Sequence, residues 1–296
     1  MSYYSRLNKS FEGAPRLPLT ERSKYVLISD CHRGTGTSND NFLKNQHLYF
    51  AALQHYYQMG FTYIELGDGD ELWENRCLSD IIETHSNVFW LLSRFQAKNR
   101  LYMLYGNHDM IKKNWDYAQR HCGTYHCPSD NCSYWEKQPL LPDMRFYESI
   151  ILENFSRPNA PDIYLTHGHQ SDLLNSSLWP LSRFLVRYLW KPLERFGVLD
   201  PTSAAKNYTR KHKAEKRLAH WAKNENHILI TGHTHRPALS EADHFYYNTG
   251  SCVHPRCITC LEIEYGRIRL VKWSLTTKPD RTLIVSREVL SGPVQF

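Results

Sequence analysis

Aspartate, histidine and asparagine recur in five short clusters along this chain. They are Asp30-Cys31-His32, Gly67-Asp68, Gly106-Asn107-His108-Asp109, Thr166-His167-Gly168-His169 and Gly232-His233-Thr234-His235. Aspartate oxygens, imidazole nitrogens and one amide oxygen suit a pair of divalent cations such as manganese, iron or zinc, and soft thiolates are missing from the set. One such cluster alone says little, because an Asp after a strand usually caps a helix or closes a turn. Five in order, all placed alike, are hard to obtain by accident. Each follows a short apolar, β-branched run: Tyr25 to Ser29, Tyr63 to Leu66, Leu101 to Tyr105, Ile163 to Leu165, and Ile228 to Thr231. Such runs read as strands, and an open α/β sheet binds its ligands beyond the carboxyl ends of its strands. The chain reads as a dinuclear metal hydrolase.

The elements that must position these clusters alternate at first. The order is strand Tyr25–Ser29, helix Asn41–Met59, strand Phe61–Leu66, helix Leu78–Lys98 and strand Leu101–Tyr105, which predicts a parallel βαβ core. A loop-rich stretch with Cys and Pro, Cys122 to Pro142, follows, and strands resume at Ser149–Glu153 and Ile163–Thr166. After Gly232 the runs Phe245–Asn248, Ile258–Tyr265, Arg267–Ser274 and Thr282–Ser286 have no helices between them, which predicts a second, largely antiparallel sheet. With 296 residues and 41% hydrophobic content, the chain is expected to form one catalytic domain over residues 1–296.

The clusters resemble the motif series of the calcineurin-like metallophosphoesterases: D-x-H, G-D-x-x-[DE], G-N-H-[DE], H and G-H-x-H. The resemblance runs from about Tyr25 to Gly250. Glu71 in the second motif and Arg236-Pro237 after the fifth are similar to the UDP-2,3-diacylglucosamine hydrolase branch. That branch commonly has Gly-Asp after the fourth-motif His, where this chain has Gly168-His169. The resemblance implies an α/β fold, a four-layer α/β/β/α sandwich with two sheets faced by helices and a helical lid insertion. It also implies the ligand sets: Asp30, His32 and His235 on one metal, Asn107, His167 and His233 on the other, and Asp68 bridging. The two metals would most readily be Mn2+, with Zn2+ or Fe as alternatives. Cations roughly 3.5–4 Å apart need an anionic bridge, and a water shared between them becomes hydroxide near neutral pH, the expected nucleophile.

His108 directly follows a candidate ligand, so its ring is expected over the open face of the site, where it would stabilise transition-state charge or protonate the departing oxygen. Asp109 would hydrogen-bond that imidazole and fix its tautomer, or else cap the helix that follows. Period-two alternation turns Cys31 away from the metals and into packing. Asp70, Glu71 and Arg236 are candidates to support the ligands, Glu71 first by motif position. His169 either stands near the second metal or simply ends its strand.

Between the fourth and fifth motifs lies a basic insertion, at about 176–224. From Arg183 to Lys223 it holds eleven Lys or Arg against three Asp or Glu, a local +8 in a chain whose formal net charge is +6. Leu181, Phe184, Leu185, Tyr188, Leu189, Leu193 and Phe196 keep helical spacing, while Arg183, Arg187, Lys191 and Arg195 recur every fourth residue on another face. Pro192 would bend this helix or begin a second piece. After Asp200-Pro201-Thr202 a second helix carries Lys206, Arg210, Lys213 and Arg217 on one side. Such a pair beside a phosphoesterase site would make a lid for anionic substrates. Arg183, Arg187, Arg210 and Arg236 are the candidate substrate contacts. Trp179, Leu185, Leu189 and Trp190 would meet an acyl chain or membrane surface, unless they pack on the core. Nucleic acid is not expected, since no aromatic-interleaved reading motif is present.

The first 24 residues lack the apolar core of a secretory signal, and no run approaches the roughly 18 apolar residues of a membrane helix, so a cytoplasmic protein is expected, with peripheral membrane contact through the lid. Its eight cysteines are then expected reduced. Cys122, Cys127 and Cys132 share a stretch with His121 and His126 in spacings that match no common zinc finger. Cys252, Cys257 and Cys260 match part of a plant-type iron–sulfur pattern, with no obvious fourth thiolate and a strand reading over Cys257 to Glu264. The whole predicts a metal-dependent phosphoesterase acting on a phosphate ester or diphosphate, with a nucleotide- or lipid-linked substrate favoured. The alternatives are a serine/threonine phosphoprotein phosphatase and a metal-containing scaffold that binds partners through the basic helices.

Overall fold

The computed structural model describes residues 1–37, 40–126, 137–156, 160–173, 175–190, 208–240 and 245–296. Helix α1 (Tyr3–Phe11) and strand β1 (Arg16–Leu19) come first, followed by β2 (Lys24–Ile28), α2 (Gln46–Gln58), β3 (Thr62–Leu66), α3 (Leu78–Thr84), α4 (Ser86–Gln96) and β4 (Leu101–Leu104). Next come α5 (Trp115–Cys122), a small hairpin of β5 (Thr124–His126) and β6 (Lys137–Pro139), β7 (Phe146–Tyr147), β8 (Ser149–Asn154) and β9 (Ile163–Thr166). In the insertion, α6 (Trp179–Leu185) runs into a π-helical turn at Val186–Trp190, and α7 (Tyr208–Glu225) leads back to the sheet. The last strands are β10 (Ile228–Thr231), β11 (Tyr246–Asn248), β12 (Cys257–Glu264), β13 (Arg267–Thr277) and β14 (Leu283–Gln295).

The strands form a five-stranded sheet, β1-β8-β9-β10-β11, and a seven-stranded sheet, β14-β13-β12-β2-β3-β4-β7. Alternate residues of both sheets fill the space between them: Leu27, Ile64, Leu66 and Leu104 from one, Ile150, Leu152, Ile163, Leu165 and Ile230 from the other. The outer face of the large sheet is covered by α2 and α4 through Tyr49, Leu53, Tyr56, Phe89, Leu92 and Phe95. The outer face of the small sheet is covered by α1 and α7 through Leu7, Leu218, Trp221 and Ala222. Two helical layers around two sheets make the α/β/β/α sandwich that the motif series implies.

The expected elements are present, with three corrections. The C-terminal strands do not build a separate antiparallel sheet. Instead, β12 pairs antiparallel with β2, and β13 and β14 extend the same large sheet by hairpins, while β11 joins the small sheet parallel to β10. Short hairpins can only add antiparallel strands, and the free edge of β2 is the place they fill. The long helix expected over Leu78–Lys98 breaks at His85, whose ring is buried between Gln46 Oε1 (2.7 Å) and Asp40 Oδ2 (2.9 Å). Finally, α1 and β1 carry structure that the motif-centred reading left unassigned. No described helix is long and apolar enough to cross a membrane.

Candidate metal centre

Strands β2, β3 and β4 run parallel in the large sheet and β9 and β10 run parallel in the small one, so five loops leave neighbouring strand ends. The loops approach closely because glycine stands where no side chain fits. A Cβ on Gly106 would lie 2.1 Å from Asp68 Oδ1, and one on Gly232 would lie 2.4 Å from Asp30 Oδ2. The backbone is unusual here as well: Asp30, His32, Asp68, His233 and His235 all have φ between 49° and 65°. The left-handed region costs a non-glycine residue free energy and collects at functional sites. Five of the seven candidate ligands occupy it.

Six of the seven side chains are brought together in two groups, and Asn107 is buried on the loop after β4. Ligand atoms of Asp30, His32 and His235 lie within 4.8 Å of one another, as do those of Asp68, His167 and His233. Asp68 Oδ2 stands between the groups, 3.1 Å from His167 Nε2 and 3.8 Å from His32 Nε2. Asp30 Oδ1 is 3.1 Å from His235 Nε2. Yet Asp30 Oδ1, Asn107 Oδ1, His167 Nε2 and His233 Nε2 are buried with no partner in hydrogen-bond geometry. Leaving such atoms unpaired costs about 1–3 kcal/mol each, so converging lone pairs of this kind fit cations. The far nitrogens support that reading. His32 Nδ1 is 2.9 Å from Glu71 Oε2 and His167 Nδ1 is 2.8 Å from the Leu66 carbonyl, which leaves each Nε2 lone pair aimed inward.

The electrostatics call for positive charge. Burial pushes the Asp30 and Asp68 carboxyls up, but the imidazoles around them outweigh it and hold both well below the usual carboxylate range. Burial alone would lower His167, whereas Asp68 and Asp30 raise it to about 9. His233, buried and facing His167, is lowered to about 3. Cations would satisfy these carboxylates in place of protons.

His108 sits at the mouth with its side chain 23% exposed. Its backbone N–H donates to Asp68 Oδ1 (2.8 Å), and its Nδ1 lies 2.8 Å from Glu71 Oε1. Here Asp109 departs from expectation. It is fully buried and accepts from the Gly106 and Gly69 amides and from Lys112 Nζ, so it neither binds the His108 ring nor caps a backbone amide of the turn that follows. The imidazole is held by Glu71, whose two oxygens serve His32 and His108 at once; Asp109 is spent on tying loops. Beside it lies a buried ionic network, of which the sequence offered only Asp70. Arg33 pairs with Glu65 (2.8 and 2.9 Å) and Asp70 (2.6 Å), and Lys112 bonds to Asp70 and Asp109. The hint in sequence is that Arg33, Asp70 and Lys112 each lie within a few residues of a motif. Cys31 packs in the core as expected. His169 is buried beside His167, ring centres 5.6 Å apart, with Nδ1 unpaired and its pKa well lowered by burial and by the His167 and His233 charges.

The insertion's arginines are more dispersed. Arg187 is not free for substrate: it donates to the carbonyls of Leu72 (2.7 Å), Trp73 (2.9 Å) and Asn75 (3.1 Å). Arg236 is paired with Glu215 of α7 at 3.2 Å, and Glu215 also accepts from Thr234. Arg183 stacks over Trp179 at 5.0 Å, with Lys113 at 5.6 Å from the same ring. Arg210 is half-buried on α7. Arg217 donates to the Ser171 carbonyl, and Arg6 of α1 donates to that of Gln170, so both hold the fourth-motif loop. Of the residues expected at an acyl chain or on the core, Trp179 and Leu185 are half-buried and Leu189 is exposed. Ser182 and Val186 face inward, while Leu181, Phe184 and Tyr188 are more than half exposed. Lys191, Pro192, Leu193, Arg195, Phe196, Asp200-Pro201-Thr202 and Lys206 lie outside the described residues, as do Cys127, Cys132 and the side chains of His126 and Trp190. Cys122 is buried with its thiol pushed up to about 12 by burial, Cys252 and Cys260 are buried and Cys257 is half-buried, and no metal-capable grouping among the described residues contains a cysteine.

Among solved structures the chain is similar to Vps29 of Chaetomium thermophilum, at 10% identity over 90% of this chain and 96% of that one, with a TM-score of 0.37. It is also similar to a mutant cold-active protein tyrosine phosphatase, at 16% identity over 95% of this chain and 85% of that one, with a TM-score of 0.39. No curated protein sequence matches the chain. The calcineurin-like phosphoesterase model matches residues 23–237, a span that takes in all five clusters and more than two-thirds of the sequence, and the chain belongs to that family.

Proposed function

We propose that this metal-dependent phosphohydrolase works with two divalent cations, one held by Asp30, His32 and His235, the other by Asn107, His167 and His233, with Asp68 shared between them. The observation that supports this reading is the pair of ligand groupings Asp30/His32/His235 and Asp68/His167/His233, in which Asp30 Oδ1, His167 Nε2 and His233 Nε2 are buried without a partner, as is Asn107 Oδ1. Held by these residues, two such cations, most readily manganese, would supply a water of lowered pKa and charge stabilisation for an in-line displacement. The chain's own part is then positioning and proton supply. Glu71 accepts from His108 Nδ1–H and keeps the ring protonated at Nε2, which gives its proton to the departing oxygen as the P–O bond breaks; solvent reprotonates the ring afterwards.

For substrate, a phosphate ester or diphosphate carried on a nucleotide or lipid has the most support. Lys113 and Arg183 flank Trp179, and the outward apolar face of Leu181, Phe184 and Tyr188 suits an acyl chain or a membrane surface. Glu71 and Arg236-Pro237 favour a place near the UDP-2,3-diacylglucosamine hydrolases. The test is turnover of an aryl phosphate ester by manganese-loaded protein. Asp68→Asn is expected to lose on the order of a thousandfold in kcat and to bind fewer than two metals per chain. His108→Ala should keep both metals and lose on the order of a hundredfold. Wild-type activity in both variants would remove the mechanism.

A further inference from the structure

The ring of His108 is held from three sides, by Glu71, by the candidate ligand His32 and by Trp73, which is neither a ligand nor bonded to one. Glu71 binds Nδ1 at 2.8 Å. His32 meets the ring edge to face, centres 4.7 Å apart at 84°. On the remaining side the indole of Trp73 lies nearly parallel to it, centres 4.2 Å apart at 21°. Trp73 is 3% exposed, and its Nε1 is buried without a hydrogen-bond partner. An indole whose N–H goes unpaired is not kept for that N–H. What it offers here is the face it packs against the imidazole, which fixes the plane of the ring.

Trp73 is in turn fixed by the insertion. The guanidinium of Arg187, on the π-helical turn after α6, donates to the carbonyls of Leu72, Trp73 and Asn75. A planar fork reaches three carbonyls of one turn; a lysine ammonium has no matching geometry. A second contact runs beside it, Arg76 Nη2 to Tyr188 Oη at 3.3 Å. The turn that Arg187 grips carries Glu71 at its start and Trp73 in its middle, the two groups that set the His108 ring.

We infer that Trp73 and Arg187 are positioning residues for His108, so that the insertion acts on leaving-group protonation through the Leu72–Asn75 turn as well as on substrate capture. The inference rests on the proposed role of His108. It makes a specific demand: loosening the turn should hurt esters whose leaving oxygen needs a proton and spare those whose leaving oxygen does not.

The experiment compares 4-nitrophenyl phosphate, a good leaving group, with benzyl phosphate, a poor one, using manganese-loaded wild type, Trp73→Leu, Trp73→Phe, Arg187→Met and Arg187→Lys. Trp73→Leu and Arg187→Met are expected to lose about tenfold more kcat on the benzyl ester than on the nitrophenyl ester, with KM within about twofold. Trp73→Phe, which keeps a ring face, should recover most of the loss, whereas Arg187→Lys should not. Adding either change to His108→Ala should cost nothing further, because the groups act as a unit. Equal losses on both esters, or losses that add to that of His108→Ala, would overturn the inference. A second readout needs no turnover: the His108 ring-proton resonance should lie upfield in wild type from the Trp73 ring current, and Arg187→Met should move it back. An unmoved resonance in Arg187→Met overturns the coupling even if every variant folds. If wild type cleaves neither ester, the proposed function fails, and the resonance still decides whether Arg187 places the ring.

Discussion

Arg33 and Arg187 each hold a loop of the same second motif, one from the buried ionic network and one from the insertion, and they do it by different means. Arg33 is fully buried and meets the carboxylates Glu65 and Asp70, while Arg187 is half-buried and its hydrogen bonds go to the carbonyls of Leu72, Trp73 and Asn75. In the network, charge is matched to charge in a water-free setting where an unmatched partner is expensive. In the insertion, a cation is matched to neutral acceptors next to solvent, where its loss leaves nothing charged behind. The network therefore governs whether the site exists, and the insertion governs how it is set.

That contrast is breakable. Arg33→Met would leave Glu65 buried without its counter-charge and Asp70 with Lys112 alone, and a loss of about 3–5 kcal/mol in urea unfolding is expected; Arg187→Met in the same assay should lose about 1 kcal/mol. Similar values for the two would erase the distinction. Removing divalent cations with a chelator should lower stability by about 2.7 kcal/mol relative to protein held at a hundredfold excess over Kd, read as a fall in melting temperature. No change would mean that the strained ligand loops do not depend on cations.

Asp40 offers a finer test, because it supports the loop behind His32 without touching the centre. Burial raises its carboxyl, but the His85 hydrogen bond and the Gly36 amide outweigh that and hold it below the usual carboxylate range. A depressed folded-state pKa gives stability that is present above the ordinary carboxylate pKa and lost as pH falls through the lowered one. Asp40→Asn should therefore cost about 2 kcal/mol at pH 7, and the gap to wild type should close as pH drops below about 4. A gap independent of pH would deny the carboxylate that role. The smallest effect belongs to the outward face of α6. Leu181→Ser with Phe184→Ser should change stability by no more than about 0.5 kcal/mol. If these rings serve a lipid-carried substrate, the pair should weaken capture of anionic lipid vesicles in a sedimentation assay; unchanged capture would argue for a water-soluble substrate.

The sequence is informative where chemistry requires a residue type at a strand end. The seven candidate ligands and the strands before them stand out because Asp, His and Asn follow apolar runs each time, and β9 and β10 fall over the residues the runs delimit. Pairing between distant elements is another matter. Nothing local to β12 says that it will join β2, and nothing in Asp109 says that it will bond Gly106, Gly69 and Lys112 while Glu71 takes the imidazole. The same limit applies to α6: helical spacing announces an apolar stripe, but Ser182 and Val186 are the buried positions while Leu181, Phe184 and Tyr188 stay exposed. The positive φ values of Asp30, His32, Asp68, His233 and His235 are likewise imposed by tertiary approach, since none of these residues prefers that region by itself.

Helix α1 has a practical corollary for anyone handling the protein. Its Arg6 braces the Gln170 carbonyl, and its Phe11 and Asn8 engage Trp221, by ring stacking at 5.3 Å and a hydrogen bond of 2.6 Å. A shortened version begun at β1 would retain every signature residue yet have lost a brace of the loop bearing His167.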